Sequence, residues 1–568
     1  MKFSEMPYVR PDKDEILQKT ADATARLRAA KDFAEADAVY READAYSGEI
    51  MTLATLVSIR HSIDTRDAFY EAESDWWDET TPLLTEGTNA FQQALFESPF
   101  RPQFEEKYGD VVFKNIDFAL RSFSPAIIPE MQKENALVTE YDKLVASAQI
   151  EFEGGTYTVA QMGPIQQDPD DKRRLAAWQA TGSWFMSKAS EFDRLYAELT
   201  ALRDGMGRKL GYDGNTQLGY YRMMRTSYGK AEVERFREAV RKYLVPVADR
   251  IRRAQAERLG VAYPMSYADQ SLMFRSGNPK PVGTADDIVA QAKKFYHELS
   301  PETAEFIDHM LGDEMMDLLA TPGKQAGGYC TELPAYHTPF IFANFNGTQG
   351  DVEVVTHEAG HAFQNWTARD IVPLDCHWAG MEASEVHSMS MEFFAWPWSE
   401  GFFGPDTRKF HYSHLASALT FIPYGTMVDH YQHIVYERPE MTPAERNDVW
   451  RRLTGVYMPW LRLDGDEIPF FGDGRYWQRQ GHIFQAPFYY IDYCLAQTMS
   501  LYFWAESQKD FQAAWEQYYR YTKLAGTKTF TELLAAAGLP TPFDEDTMRG
   551  ICENAASWLE SFDLTGIE

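Results

Sequence analysis

Cysteine is scarce in this sequence, with four residues among 568. The four are far apart and form neither a Cys-x-x-Cys pair nor the dense set from which small secreted proteins build disulfide frameworks. We therefore expect small, buried, reduced thiols in a cytoplasmic protein, with none of them binding a metal. These residues are Cys330, Cys376, Cys494 and Cys552.

Long apolar runs are also missing. No stretch approaches the roughly 18 uninterrupted apolar residues that a membrane-spanning helix needs. The first residues, MKFSEMPY, lack the basic segment followed by an apolar run that marks a secretory signal. We expect a protein with neither a signal peptide nor a membrane partner.

Basic residues are few relative to acidic ones: 55 Lys and Arg face 85 Asp and Glu, a formal net charge of −30. A general nucleic-acid binder needs basic surface to neutralise phosphates, so we expect no nucleic-acid partner. Hydrophobic residues make up 44% and charged residues 25%, which is typical of a packed globular protein. The aromatic share of 14% leaves material for lining a cavity.

Apolar residues recur at helical spacing through most of the chain, over about residues 12–145 and again over 169–259. Between them, alternation from Ile150 to Val159 around Gly154-Gly155 predicts a β-hairpin. We predict a mainly α fold with two regions, an N-terminal helical region at 1–150 and a second region at 151–568.

Two stretches break the helical pattern. The first, 321–350, contains the extended segment Pro339–Phe345 followed by the turn dipeptide Asn346-Gly347. The second runs from 463 to 474 and is rich in Gly and Pro. Irregular segments inside a helical protein are where functional sites tend to lie.

The first irregular stretch leads into the sequence His-Glu-Ala-Gly-His at residues 357–361. On a helix, positions i and i+4 share one face, so His357 and His361 can bind one metal ion while Glu358 faces the reacting water. The alternative interpretation is a helix that carries two histidines without a metal.

A catalytic zinc site needs a third protein ligand and one open position. A second predicted helix, which runs to Phe394, offers three candidates. From the residues alone the choice among them stays open: Glu382, Glu385 and His387.

At this point the chain resembles the zinc metallopeptidases of the oligoendopeptidase F and thimet oligopeptidase type. In that family a glutamate ligand follows the second histidine at the distance that separates Glu385 from His361, and an acidic residue follows seven later, here Glu392. Gly360 at the fourth motif position is also typical of the family. The resemblance implies Glu385 as the third ligand and leaves Glu382 on a solvated helix face.

The resemblance covers most of the chain from about residue 150 onward, and its pieces occur in the family order. They are the hairpin with Ala160–Pro164, Leu210–Tyr212, Leu218–Arg222, Gly327–Thr331 and the strand at Pro339.

A second cluster lies at 481–493. Its residues alone predict an aromatic core helix, but the resemblance implies that His482 and Tyr493 stabilise the oxyanion of peptide hydrolysis. Tyr489 and Tyr490 are then predicted to hold substrate, and which of the three tyrosines faces the oxyanion stays open.

Other polar residues have weaker patterns. His337 is predicted to border the substrate site, and Pro339–Phe345 either pairs with a substrate backbone or forms a structural hairpin. Glu353 or Glu392 is predicted to orient a ligand imidazole, with surface salt-bridging as the alternative for both.

Together these features predict a mainly α zinc endopeptidase with two helical halves around a deep channel and a small β element beside the zinc site. His357, His361 and Glu385 would bind one Zn²⁺, and Glu358 would act as general base on oligopeptide substrates. The alternatives are a zinc carboxypeptidase on a similar fold and a catalytically silent peptide-binding protein. Glu358 argues against the latter, because metal binding alone does not require it.

Overall fold

The computed structural model describes residues 1–321, 323–325 and 327–567. Pro322 and Ala326, in the first predicted irregular stretch, lie outside the described residues, as does Glu568. The α-helices are α1 (Lys13–Ala29), α2 (Phe33–Ile63), α3 (Ala68–Phe96), α4 (Arg101–Tyr108), α5 (Val111–Ser122), α6 (Ile128–Ala146), α7 (Val159–Ile165), α8 (Asp171–Lys209), α9 (Asn215–Arg222), α10 (Lys230–Ala239), α11 (Val245–Leu259), α12 (Tyr267–Gln270), α13 (Ala285–Leu299), α14 (Pro301–Gly312), α15 (Gln349–Glu353), α16 (Ala359–Ala368), α17 (Met381–Phe394), α18 (Ser399–Phe403), α19 (Thr407–Glu437), α20 (Pro443–Tyr457), α21 (Gly481–Gln485), α22 (Tyr490–Ser507), α23 (Phe511–Leu524), α24 (Phe530–Ala536) and α25 (Glu545–Ser561).

The strands form two small sheets. They are β1 (Ile150–Phe152), β2 (Gly155–Tyr157), β3 (Met316–Leu319), β4 (Tyr329–Leu333) and β5 (Thr338–Phe345). In the second sheet β5 is central, parallel to β3 and antiparallel to β4. The predicted fold class, mainly α with a small β element, is confirmed.

The predicted hairpin is present as the antiparallel pair β1–β2. Its turn residues are Glu153 and Gly154, both with positive φ, at 50° and 79°. Two such residues in succession give the backbone twist that a two-residue hairpin favours. Ile150 and Phe152 are buried and Glu151 is exposed, as the alternation predicts.

The described chain divides into two compact units, each built from three stretches of sequence. The first unit comprises 1–120, 280–405 and 506–539, and the second comprises 121–279, 406–505 and 540–568. The stretches of the two units alternate along the chain, whereas the predicted regions 1–150 and 151–568 are separated by a single boundary. That predicted division stays a prediction.

In the first unit, α16 and α17 rest on aromatic side chains from α23. Trp515 lies 6.1 Å from Phe363 and 5.4 Å from Phe394, measured between ring centroids. The Tyr518 hydroxyl donates to the backbone carbonyl of His387 at 2.9 Å. Because close-packed cores resist displacement, this support holds both helices in position.

The core of the second unit forms around α8 and the short turn Tyr476–Arg479. Trp477 of that turn packs against Tyr196 and Tyr431, with ring centroids 4.9 Å and 5.6 Å apart.

All four cysteines of the chain are free thiols, as predicted, and Cys330 is the one that is not fully buried. Across the described ranges, no helix is both long and apolar enough to cross a bilayer.

Candidate metal centre

The His-Glu-Ala-Gly-His motif lies in a continuous helical run of the first unit, but the run is not a uniform α-helix. α15 passes into a π-helical turn, Val354–Glu358, before α16 begins at Ala359. A π turn displaces backbone carbonyls from ordinary helical bonding and is frequent at functional sites. The Tyr296 hydroxyl of α13 donates to the Val355 carbonyl at 2.9 Å and so satisfies one of these groups.

The two histidines and one glutamate of the motif region converge. Glu385 Oε2 lies 3.4 Å from His357 Nε2 and 3.6 Å from His361 Nε2. The imidazole planes are 85° apart, with centroids at 5.1 Å. The three potential ligand atoms all lie within 4.8 Å of one another.

The structure distinguishes among the three candidates for the third ligand. Glu385 faces both histidines, whereas the His387 ring is fully buried and packs 4.8 Å from that of Tyr521. Glu382 is buried, with 3% of its surface exposed, so the prediction that it lies on a solvated face is wrong. From its position on α17 the Glu382 side chain lies in the core, and helical spacing alone did not predict this.

This donor set fits a transition-metal ion, since two imidazole nitrogens and a carboxylate oxygen match a catalytic zinc-type site. Burial lowers the pKa of His361, with the His357 charge acting in the same direction and Glu385 and Glu358 opposing. At His357 burial also disfavours the imidazolium, but Glu385 and Glu392 outweigh it and raise the pKa. A bound cation would replace the proton that these carboxylates otherwise attract.

Glu392 is the partner of the first ligand on its outer side. Its Oε1 lies 2.7 Å from His357 Nδ1, so the carboxylate accepts from Nδ1–H and leaves Nε2 directed at the site. Glu353, the other candidate for this task, is exposed and accepts from Gln349 Nε2 at 2.9 Å. Glu392 is therefore the carboxylate that orients the His357 imidazole.

Glu392→Gln is expected to weaken metal affinity about 10–100-fold, because a neutral amide holds the His357 imidazole less firmly and makes it a weaker ligand. Metal content and competition with a chromogenic chelator measure this. Glu353→Gln, on the same helical run, is the matched control and should bind metal like the parent. Equal affinities for both variants and the parent would contradict the assignment.

Gly360 explains how α16 and α17 approach closely enough to share a ligand set. A Cβ at this position would lie 2.7 Å from Ser388 Cα and 2.9 Å from the His387 carbonyl oxygen. Both neighbours are backbone atoms of α17 and cannot rotate away. Glycine at the fourth motif position thus serves helix packing.

Gly360→Ala is expected to lower the free energy of unfolding by about 1–3 kcal/mol and to weaken metal binding, because α17 must move away with Glu385. Denaturant unfolding and metal titration test both effects. Gly205→Ala is the control: a Cβ on this glycine of α8 meets nothing within 4 Å, so that variant should be neutral or slightly more stable.

The second predicted cluster lies in the second unit. His482 is on the short helix α21, and its ring centroid is 5.8 Å from Tyr489, 5.0 Å from Tyr490 and 5.8 Å from Tyr493. All four rings are half-buried. The structure brings these predicted residues together, as an aromatic group around one imidazole.

A residue that sequence reasoning missed determines the tautomer of His482. Gln480 Oε1 accepts from the Tyr424 hydroxyl at 2.6 Å, which leaves Gln480 Nε2 to donate to His482 Nδ1 at 2.9 Å. An imidazole that accepts at Nδ1 carries its proton at Nε2. His482 is therefore a neutral ring with an Nε2–H donor.

Buried charges also hold the start of α22, and the sequence did not predict them. Asp492 Oδ1 accepts from Arg225 at 2.8 Å and from the Tyr228 hydroxyl at 3.1 Å, with Arg225 and Asp492 fully buried. Arg225 also donates to the carbonyl of Phe488, whose φ is 69°. A non-glycine residue in this left-handed region persists only where its surroundings hold it.

His337 and the extended segment lie in the first unit. His337 has a φ of 52° and is exposed, and its Nδ1 donates to the Arg369 carbonyl at 2.8 Å, at the C-terminal end of α16. Both edges of β5 are occupied, so the prediction that Pro339–Phe345 pairs with a substrate is wrong. The two edge strands of this sheet are β3 and β4.

Comparison with known proteins agrees with this geometry. Residues 3–123 match the peptidase M3 N-terminal domain and residues 287–552 match peptidase family M3. The structure of a PZ peptidase A with an inhibitor is 42% identical, covers 99% of this chain and 100% of its own, and superposes with a TM-score of 0.93. Comparison with curated proteins gives no match.

Two structures assigned as oligoendopeptidase F are also similar. One is 43% identical with a TM-score of 0.93, and the other, from Bacillus anthracis str. Ames, is 40% identical with a TM-score of 0.89. In both cases 99% of each chain is covered. The resemblance drawn from the sequence is confirmed: this chain belongs to peptidase family M3 and is a metalloendopeptidase.

Proposed function

We propose that this protein hydrolyses internal bonds of oligopeptides with one Zn²⁺ held by His357, His361 and Glu385. The observation that carries the proposal is the convergence of two imidazole Nε2 atoms on one oxygen of Glu385. When bound, zinc would supply Lewis-acid activation of the water and of the scissile carbonyl.

Glu358 is the proposed general base. It is half-buried, adjacent in sequence to the first ligand, and its carboxylate acts electrostatically on His361. A carboxylate there takes a proton from the attacking water and returns it to the leaving amine nitrogen as the peptide bond breaks. The silent peptide-binding alternative gives no role to this residue.

His482 and Tyr493 are proposed to donate hydrogen bonds to the oxyanion that forms during hydrolysis. Support for His482 comes from Gln480, which keeps the imidazole neutral with a proton at Nε2. A donor that is oriented in advance stabilises developing charge without reorganisation. Tyr489, Tyr490 and His337 are proposed to contact the substrate.

Phenylalanine substitutions separate the three tyrosines. Tyr493→Phe is expected to lower kcat about 10²–10³-fold with a small change in KM, since it removes a donor used mainly in the transition state. Tyr489→Phe and Tyr490→Phe should act mainly on KM. A larger kcat loss in either of those variants would transfer the oxyanion role to that residue.

One of the two edge strands, β4, is the proposed surface for the substrate backbone. It lies in the same sheet as β5, and its residues Tyr329–Leu333 are followed closely by the segment that leads to the motif helix. An extended peptide can add to an exposed strand edge through main-chain hydrogen bonds, which makes recognition largely independent of side chains.

The catalytic region 151–568, the channel between helical halves and the cytoplasmic location stay predictions.

Mapping of the cuts in a peptide library by mass spectrometry tests the function. Internal cleavage of peptides blocked at both ends is expected, with activity lost on chelation and restored by Zn²⁺. Removal of only C-terminal residues from unblocked peptides would favour the carboxypeptidase. Absence of cleavage by zinc-loaded protein would leave the peptide-binding alternative.

A further inference from the structure

One buried arginine of the second unit makes no salt bridge with any described residue. Five arginines are buried within the described part of the chain, and four of them pair with a carboxylate. Arg203 binds Glu134, Arg225 binds Asp492, Arg237 binds Asp429, and Arg174 binds Asp171 and Asp269. The exception is Arg446 on α20, which is 1% exposed and has no carboxylate oxygen within 4.0 Å among the described residues.

Several donors of this guanidinium and of two neighbouring tyrosines are unsatisfied. Arg446 Nε and Nη1 are buried and have no hydrogen-bond partner among the described residues, and the same holds for the hydroxyls of Tyr196 and Tyr431. The Arg446 Cζ atom lies 5.3 Å from the Tyr196 ring centroid, and the Tyr196 and Tyr431 centroids are 6.4 Å apart. Burial raises the pKa of both phenols, and the positive charge of Arg446 opposes this rise at each.

Asp193 interacts electrostatically with Arg446 but makes no salt bridge with it. Asp193 Oδ1 accepts from Gln478 at 2.7 Å, and Asp193 Oδ2 lies 3.3 Å from Arg475, so this one carboxylate acts on two guanidinium groups and leaves one positive charge uncompensated. A buried cation without a counter-ion is strongly destabilising, and so are buried donors without acceptors. The Arg446 guanidinium and the two tyrosine hydroxyls therefore require a small ligand that carries a negative charge and only accepts hydrogen bonds.

We propose that Arg446, Tyr196 and Tyr431 form a buried binding site for a small monovalent anion such as chloride, between α8, α19 and α20. A water molecule could accept some of these hydrogen bonds but would leave the guanidinium charge uncompensated. The anion supplies both the acceptor and the charge. This site is independent of the metal centre and of the proposed function.

Binding of the anion should also affect the segment that carries His482. Trp477 packs on the rings of both Tyr196 and Tyr431, and the chain continues from it through Gln480 to His482. An effect of chloride on kcat would rest on the proposed function. An effect on the stability of the fold would not, so stability is the primary measurement.

The test uses the full-length protein at constant ionic strength, with sodium chloride exchanged for sodium gluconate. The Tm is expected to rise with the logarithm of the chloride or bromide concentration above Kd, by about 1–2 °C for each tenfold increase, while gluconate is too large to enter. Crystals soaked in bromide should show an anomalous peak beside Arg446. Equal Tm values in chloride and gluconate would overturn the proposal and indicate bound water.

Substitutions locate the effect. Arg446→Met should remove the chloride dependence of Tm. Tyr431→Phe keeps the ring but removes one donor, and should raise the chloride concentration at which the Tm begins to rise, which reports Kd, about tenfold. Tyr457→Phe is the matched control on α20, since its hydroxyl bonds His430 Nδ1 at 3.0 Å, and should leave that concentration unchanged. If Arg446→Met fails to fold, Tyr431→Phe and Tyr457→Phe still test the proposal. The same chloride dependence of Tm in both variants would contradict the site.

Discussion

Glu358→Gln is expected to lower kcat at least about 10³-fold while the protein retains its metal. The amide is close to isosteric with the carboxylate but cannot take the proton of the attacking water, and positioned acid–base groups contribute about 10²–10⁴-fold. Because Glu358 is not one of the three converging ligand residues, metal content should stay stoichiometric. Steady-state kinetics on a quenched fluorescent peptide and metal analysis by mass spectrometry measure the two quantities together.

The control for this variant is Glu353→Gln, which lies on the same helical run, is exposed, and should keep full activity. KM is expected to change little in Glu358→Gln, since the lost interaction belongs to the transition state. Retention of more than about a tenth of the parent kcat would show that another group accepts the proton and would require a different mechanism.

Glu385→Gln is expected to lose the metal and, with it, all detectable hydrolysis. Loss of an outer partner alone costs about 10–100-fold in metal affinity, so loss of a direct ligand should cost more. The substitution also leaves the two imidazole Nε2 atoms, now 3.4 Å and 3.6 Å from a carboxylate oxygen, without their shared negative neighbour. Equilibrium dialysis against Zn²⁺ at several concentrations measures the affinity.

Glu382→Gln is the matched comparison, since Glu382 is an equally buried glutamate on the same helix, three residues earlier. That variant should bind zinc with the affinity of the parent, whatever its effect on stability. Loss of zinc from Glu382→Gln together with its retention in Glu385→Gln would reverse the assignment of the third ligand.

Much of the local structure followed from the sequence. The alternation at 150–159 and its glycine predicted the hairpin, and the helical spacing predicted over 169–259 ends where α11 ends, just before the left-handed Gly260. The spacing of His357 and His361 predicted that their imidazoles share a helix face, and they do converge. Each of these inferences depends on residues within one turn or one hairpin, where backbone geometry alone sets the neighbours.

Contacts between distant segments needed the tertiary structure. Glu353 and Glu392 were equivalent by sequence, yet only the packing of α17 on α16 brings Glu392 to His357 Nδ1. The same packing buries Glu382 and requires glycine at position 360. Gln480 and the Arg225–Asp492 pair lacked any sequence signal, because a single polar residue in a periodic segment does not reveal its partner.

By itself, the sequence determined the chemistry available to this protein: two imidazoles and a glutamate at helical spacing, an acidic and aromatic composition, and the pattern of a mainly helical chain. The tertiary structure alone decided which carboxylate faces the imidazoles, which one supports His357 from behind, that β5 is the central strand of its sheet, and that Arg446 is buried without a salt bridge. The physical reason is that periodicity reports the face on which a residue lies, whereas its partners across the core depend on how whole helices and strands pack.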